Sequence, residues 1–143
     1  MKEKILILCT GNSCRSQITE AYFNKFASGR FEAVSAGLEP RPVHPLTMQV
    51  LEEDGIDTSG MYSKPISEFL GKEHFRHVIF VCGEAEKNCP TIYPFALEKI
   101  CWPFDDPAVV QGTEEEKLAK FRHVRDEIRM KIINWLDEQK VTH

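Results

Sequence analysis

The sequence has no apolar run long enough to cross a bilayer and no excess of basic residues. Its 143 residues include 18 Lys and Arg against 22 Asp and Glu, interspersed, for a formal net charge of −4. This balance argues against nucleic acid as a partner. The opening MKEKILIL lacks the long apolar segment and cleavage site of a signal peptide, so we expect a cytoplasmic protein without membrane contact. Repeats and linkers are also missing, and the length predicts one domain over 1–143.

Paired histidines at a zinc-like spacing are also missing, so we predict no metal site among the cysteines. A cytoplasmic protein keeps its thiols reduced, which excludes a disulfide framework and leaves reactive or structural thiols. Five residues need this interpretation: Cys9, Cys14, Cys82, Cys89 and Cys101.

Strand-like and helix-like segments alternate along the chain, which predicts an α/β fold with a four-stranded parallel sheet and helices on both faces. The predicted strands cover 4–8, 31–36, 77–81 and, more weakly, 100–102; the predicted helices cover 17–27, 46–54, 66–70 and a long segment beginning at 113. Segment 38–45 is a loop with three prolines. Ligands of such sheets bind beyond the carboxyl ends of the strands, where the segments beginning at residues 9 and 82 both lie.

The strongest chemical signal is the loop between the first strand and the first helix. It reads Cys9-Thr10-Gly11-Asn12-Ser13-Cys14-Arg15-Ser16. A loop of this length before a helix N-terminus can turn its backbone N–H groups inward and hold a tetrahedral oxyanion, with Arg15 as a two-pronged donor. The same field favours a thiolate, which predicts Cys9 as a nucleophile, and the Ser16 hydroxyl can donate to its sulfur. A buried structural cysteine before an N-cap serine is the alternative.

A second pair of thiols follows the third predicted strand in the segment CGEAEKNCP. In a helix, Cys82 and Cys89 would lie about 10 Å apart, too far for a disulfide without rearrangement of the segment. Two unrelated buried thiols are one interpretation. A relay of thiol–disulfide exchanges with Cys9 is the other, and three thiols near one sheet edge favour it. Cys14 and Cys101 are predicted to be structural.

An acid follows the fourth predicted strand in Phe104-Asp105-Asp106-Pro107. A carboxylic acid over the bound oxyanion would protonate a departing oxygen. We predict this role for Asp105; a turn or helix cap is the alternative.

Together the runs CTGNSCRSQ, CGEAEKNCP, FDDPA and QGTEEEK resemble the thioredoxin-coupled arsenate reductases, which share the fold of low-molecular-weight protein tyrosine phosphatases, a three-layer sandwich. The resemblance implies that Cys9 attacks arsenate in a loop formed by Thr10 to Ser16, with Asp105 as general acid. It further implies that Cys82 attacks the Cys9–arsenate adduct, releasing arsenite, and that Cys89 then forms a Cys82–Cys89 disulfide for thioredoxin to reduce.

Some members of that family bind potassium beside the anion loop through asparagine, glutamate, serine and aspartate. Asn12, Glu20 and Ser35 match the first three, but Lys64 stands at the aspartate position. We therefore expect no cofactor, because an ammonium group there can replace the cation. We also expect a monomer.

The main rival function is that of a low-molecular-weight tyrosine phosphatase, which would leave Cys82 and Cys89 without a role. Such phosphatases tend to carry aromatic residues after the Asp-Pro pair, whereas Ala108 follows Pro107 here. A non-catalytic redox sensor is a third hypothesis, against which the joint presence of Arg15 and an acid counts.

Overall fold

The first strand lies inside the sheet, and its side chains from Ile5 to Leu8 are wholly buried. The computed structural model describes residues 3–69, 74–81 and 98–141. Its strands are β1 (Glu3–Cys9), β2 (Phe31–Gly37), β3 (His77–Phe80) and β4 (Glu98–Cys101). They form one sheet in the order β2-β1-β3-β4, and each pairing is parallel. The predicted four-stranded parallel sheet is confirmed.

The described helices are α1 (Arg15–Ala27), α2 (Pro45–Glu53) and α3 (Glu114–Val141), with short 3-10 turns at Ile66–Glu68 and Pro107–Val109. A capping box begins the last helix, because the Glu116 N–H donates to Thr113 Oγ1 at 3.1 Å and the Thr113 N–H donates to Glu116 Oε1 at 3.4 Å. Gly55 follows α2 with a φ of 77°, the left-handed conformation in which helices commonly end. The helix predicted over 66–70 is only a 3-10 turn.

An aromatic cluster joins the sheet to α1 and α3. Phe23 of α1 stacks on Trp102 with a centroid distance of 6.2 Å, and Trp135 of α3 lies 5.7 Å from Phe23 and 5.5 Å from Phe31. Burial of these large rings holds both helices against the sheet. None of the described helices is long and apolar enough to span a bilayer.

The carboxyl edge of the sheet positions the loop that begins at Cys9. Because β1 lies between β2 and β3, this loop is flanked on both sides by chain leaving a neighbouring strand. On one side the Val81 N–H donates to the Leu8 carbonyl at 3.0 Å, and the Phe104 N–H donates to the Val81 carbonyl at 3.3 Å. Val81, the residue after β3, and the described segments after β1, β2 and β4 therefore meet at this edge.

Candidate active site

The loop between β1 and α1 holds its carbonyl groups outward. The Leu38, Glu39, Arg41 and His44 N–H groups donate to the carbonyls of Cys9, Thr10, Gly11 and Ser13 at 3.2, 2.8, 2.9 and 3.1 Å, respectively. The Asn12 carbonyl accepts from Gln17 Nε2 at 3.1 Å and from Ser63 Oγ at 2.9 Å. Five consecutive carbonyls are thus engaged by donors outside the loop.

The backbone N–H groups of the loop are left free by this arrangement. Among the described residues, the N–H groups of Gly11, Asn12, Ser13 and Cys14 have no acceptor. Cys14 is also the N-cap of α1 and makes no side-chain cap hydrogen bond to the first turn. Successive unpaired N–H groups before a helix of 13 residues form an anion-binding nest reinforced by the helix dipole.

The Asn12 side chain supports the loop from behind. Its Nδ2 donates to Ser16 Oγ at 2.8 Å and to Ser35 Oγ at 2.9 Å, while its Oδ1 accepts from the Lys64 N–H at 2.9 Å and from Gln17 Nε2 at 3.1 Å. The residue is fully buried and has a φ of 51°, so these bonds hold a left-handed backbone conformation. Asn12 can therefore serve an anion only through its backbone. Ser16 Oγ accepts a hydrogen bond from Asn12, so the Ser16 hydroxyl proton remains available for donation. The bond from Ser16 to the Cys9 sulfur stays a prediction.

Gly37 allows β2 to approach the loop closely. A Cβ atom at this position would lie 2.8 Å from the Thr10 carbonyl oxygen, 2.9 Å from the Asn12 nitrogen and 3.0 Å from the Asn12 Cβ. Two of these three atoms are backbone, so no rotamer change would relieve the contact. Sequence reasoning placed Gly37 at the end of a strand but missed this requirement, which depends on a contact distant in sequence.

Arg15 is held at the mouth of the nest with one donor unused. Its Nη1 donates to the Phe104 carbonyl at 3.1 Å, and its Nη2 lies 3.5 Å from Asp106 Oδ2. Its Nε is buried and has no hydrogen-bond partner among the described residues. A buried, unpaired guanidinium N–H is costly unless a ligand completes it, which is what an anion in the nest would do.

The two aspartates after β4 contact different neighbours, and the predicted role of Asp105 as general acid stays a prediction. Asp105, an exposed residue, accepts a hydrogen bond from Lys120 Nζ of α3 at 3.0 Å. That bond and the Lys120 charge hold the pKa of Asp105 below its usual value. Asp106 instead reaches Arg15 through one carboxylate oxygen and accepts from the Ala108 N–H at 3.0 Å through the other. The structure brings Asp106 to the loop, not Asp105.

The described cysteines differ in setting. Cys9 is buried at the carboxyl end of β1, at the base of the loop. Burial raises the pKa of the Cys14 thiol, although hydrogen bonds from Thr47 and Ser13 act in the opposite direction. A buried neutral thiol suits the structural role predicted for Cys14, whereas Cys101 is exposed on β4. Cys82 and Cys89 lie outside the described residues.

Lys64 completes a buried polar group beneath Asn12. Its ammonium lies 3.5 Å from Glu20 Oε1 and donates to the Tyr62 carbonyl at 3.2 Å. The same Glu20 oxygen accepts from Ser35 Oγ at 3.0 Å. The residues compared with a potassium site therefore lie together, and the Lys64 ammonium pairs with the glutamate of that group. No group of three or more metal-ligating side chains occurs in the described part of the chain.

Comparisons with known proteins agree with the fold and with the anion-binding loop. The model of the low molecular weight phosphotyrosine protein phosphatase family matches residues 4–143. An arsenate reductase of Halalkalibacterium halodurans is 42% identical over 140 residues, 97% of this chain and 99% of that protein. A solved arsenate reductase in the phosphate binding state has a TM-score of 0.78 and 31% identity, covering 95% of this chain and 98% of the other.

A solved low-molecular-weight protein tyrosine phosphatase from T. tengcongensis has a TM-score of 0.79 at 24% identity, covering 96% of this chain and 99% of the other, which speaks for the fold alone. These likenesses confirm the predicted fold class.

Proposed function

Because the chain belongs to the low molecular weight phosphotyrosine protein phosphatase family, we propose that its nest binds arsenate and that the protein reduces arsenate to arsenite. The observation that carries this proposal is the nest itself, in which outward-held carbonyls leave N–H groups free beside an unpaired Arg15 Nε. These donors suit a small tetrahedral dianion. The 42% identity to a protein named arsenate reductase, over nearly the whole chain, supports arsenate as that anion.

Cys9 is the nucleophile of the first step. Its thiolate attacks the arsenic atom, a sulfur–arsenic bond forms, and one arsenic–oxygen bond breaks. Arg15 and the backbone N–H groups stabilise the negative charge on the oxygens that remain.

Asp106 donates the proton that lets the departing oxygen leave as water. Its contact with Arg15 places it at the mouth of the nest, whereas Lys120 draws Asp105 toward α3. Because Oδ1 of Asp106 caps a 3-10 turn, Oδ2, the oxygen beside Arg15, is the one that would carry the proton.

Reduction of arsenic follows through the second pair of thiols. The Cys82 thiolate attacks the Cys9 sulfur, the sulfur–arsenic electron pair stays on arsenic, and arsenite leaves as a Cys9–Cys82 disulfide forms. Cys89 then attacks Cys82, which restores Cys9 and yields a Cys82–Cys89 disulfide. Supporting this order, the chain enters the Cys82 segment from Val81, whose N–H is bonded to Leu8, the residue before Cys9.

Thioredoxin is the proposed reductant, because a disulfide confined to one segment calls for a dithiol protein. This assigns the enzyme to the cytoplasm, where such a reductant acts. We propose a monomer, since the nest, Arg15 and Asp106 form the anion site without needing a group from a second chain.

Potassium does not fit the group formed by Asn12, Glu20, Ser35 and Lys64. A second cation would have to approach Glu20 while the Lys64 ammonium already lies 3.5 Å from the carboxylate. The lysine is almost completely buried, so it cannot swing away without losing its bond to the Tyr62 carbonyl. Lys64 therefore supplies the positive charge that supports the loop, and the enzyme needs no metal.

Hydrolysis of phosphate monoesters is the second candidate function, because the nest and Asp106 suit phosphate as well as arsenate. The exposed Ala108 and Val109 after Asp106 offer no aromatic wall for a phosphotyrosine ring. We assign ester hydrolysis as a weak side activity.

One experiment separates the two functions. The fully reduced protein is given arsenate without reductant, and its disulfides are mapped by peptide mass spectrometry. We expect a Cys82–Cys89 disulfide in the parent protein and a trapped Cys9–Cys82 disulfide in Cys89→Ser. The matched control Cys101→Ser should behave as the parent protein does.

Cys89→Ser should lose multiple-turnover arsenate reduction with thioredoxin and keep any hydrolysis of phosphotyrosine. Full thioredoxin-coupled turnover by this variant would refute the relay. Phosphotyrosine hydrolysis by the parent protein that outpaces its arsenate reduction would establish the phosphatase as the principal activity.

A further inference from the structure

Arg41 rests on the outer side of the nest. Its N–H donates to the Gly11 carbonyl at 2.9 Å, and its own carbonyl accepts a hydrogen bond from Ser63 Oγ. Its Cδ and Cγ lie 3.6 and 3.8 Å from the point where a side chain of Gly11 would begin. The backbone is thus fixed against the loop and the stem lies beside Gly11, and covalent geometry keeps the guanidinium within about 4 Å of Cδ.

This guanidinium differs from the other cations that contact the nest or its supports. Arg15 has Asp106 at 3.5 Å, and Lys64 has Glu20 at 3.5 Å. Arg41 is exposed, and within the ranges that the structure describes it has neither a carboxylate partner nor a side-chain hydrogen bond. It is an exposed cation beside an anion site, with no counter-charge among the described residues.

We infer that Arg41 is an outer recognition residue that draws free oxyanion dianions to the nest and helps hold them there. The inference rests on the proposed function in that the nest must bind such anions. A protein with a net charge of −4 repels a dianion at long range, so one unpaired cation beside the nest changes the local potential substantially. A Cβ at Gly11 would be in ordinary van der Waals contact with the Arg41 stem, so the stem lies directly alongside the loop.

The expected effect follows from Coulomb's law. One unit charge about 8 Å from a dianion in water changes its binding about fivefold. Arg41→Gln should therefore weaken binding of inorganic phosphate, and lower kcat/KM for arsenate, by about three- to tenfold at low ionic strength. The loss should appear in KM, because the residue is not needed for the chemical step. It should shrink to less than about twofold in about 0.5 M salt, where screening is strong.

The test uses protection of Cys9 from alkylation by iodoacetamide, followed by peptide mass spectrometry at increasing phosphate concentrations. Arg41→Gln should need about three- to tenfold more phosphate for half-protection at low salt, and Arg41→Lys should restore most of the difference. Arg76→Gln is the matched control. Arg76 is exposed and directly precedes β3, so it lies at the amino end of the strand, at the edge of the sheet opposite the nest. It removes the same charge and should leave protection unchanged.

The outcomes distinguish this inference from the proposed function. If phosphate fails to protect Cys9 in the parent protein, the nest is not an anion site and both fail. If phosphate protects the parent protein and Arg41→Gln equally at low salt, only the role of Arg41 is overturned. A loss that is equal at low and high salt, or equal in Arg76→Gln, would also overturn it, since neither is a local charge effect.

Discussion

Replacing Gly37 with alanine tests how closely the nest depends on β2. The new Cβ would lie 2.8 Å from the Thr10 carbonyl oxygen and 2.9 Å from the Asn12 nitrogen, distances that real Cβ atoms do not adopt. Both contacts are with backbone, so either β2 or the loop must shift. Overpacking of this kind typically costs about 1–3 kcal/mol, which corresponds to a fall in melting temperature of about 3–9 °C.

The shift should damage anion binding more than stability, because the Asn12 N–H is itself one of the donors of the nest. Thermal melts and phosphate protection of Cys9 measure the two effects. Gly29→Ala and Gly60→Ala are matched controls, since a Cβ at either position meets nothing within 4 Å. If Gly37→Ala melted within about 1 °C of these controls and bound phosphate as the parent protein does, the nest would not require the close approach of β2.

Three further predictions concern the acid, the buried cation and a buried imidazole. In the thioredoxin-coupled assay, Asp106→Asn should lower arsenate turnover about a hundredfold or more, while Asp105→Asn should change it less than about threefold. Equal losses in the two variants would refute the assignment of Asp106 as the acid. The parent protein should melt at the same temperature in potassium as in sodium. Lys64→Asp should melt about 2 °C or more higher in potassium than in sodium. A potassium response in the parent protein would contradict the proposed role of the lysine. Burial among aromatic rings lowers the pKa of His77 in the folded protein, so the free energy of unfolding should fall as the pH drops below about 6.5. In His77→Gln, the dependence of the urea-unfolding free energy on pH between about pH 6.5 and 5 should be less steep, by up to about 1.4 kcal/mol per pH unit. An unchanged slope in that variant would assign the pH dependence to other groups.

The sheet could be predicted from the sequence because its strands are short apolar runs separated by helical patterns. The apolar run of residues 4–8 and the apolar segment 77–81 have no other simple interpretation, and Thr113 with Glu116 marks the start of α3. Local chemistry determines these features. The segment 66–70 contains too few residues for local chemistry to decide between a helix and a 3-10 turn.

The position of the nest could also be predicted, since Cys9 and Arg15 bracket it in sequence. The choice between two adjacent aspartates could not. Asp105 and Asp106 have the same chemistry, and the outcome depends on Lys120, a residue 15 positions further along on α3. Contacts of this kind become visible only after the chain has folded.

Main-chain donors from the stretch after β2 hold the carbonyls of the nest; two of the three prolines of that stretch fall between these donors and the third directly follows the last. The donors are residues 38, 39, 41 and 44, and the prolines are residues 40, 42 and 45. Proline has no backbone N–H, so each proline lies at a position that donates no hydrogen bond to the nest. Its ring also restricts the backbone of the segment that carries the donors. Apart from Arg41, side chains along this stretch can therefore vary without removing a main-chain donor of the nest, provided that proline does not replace one of the four donating residues.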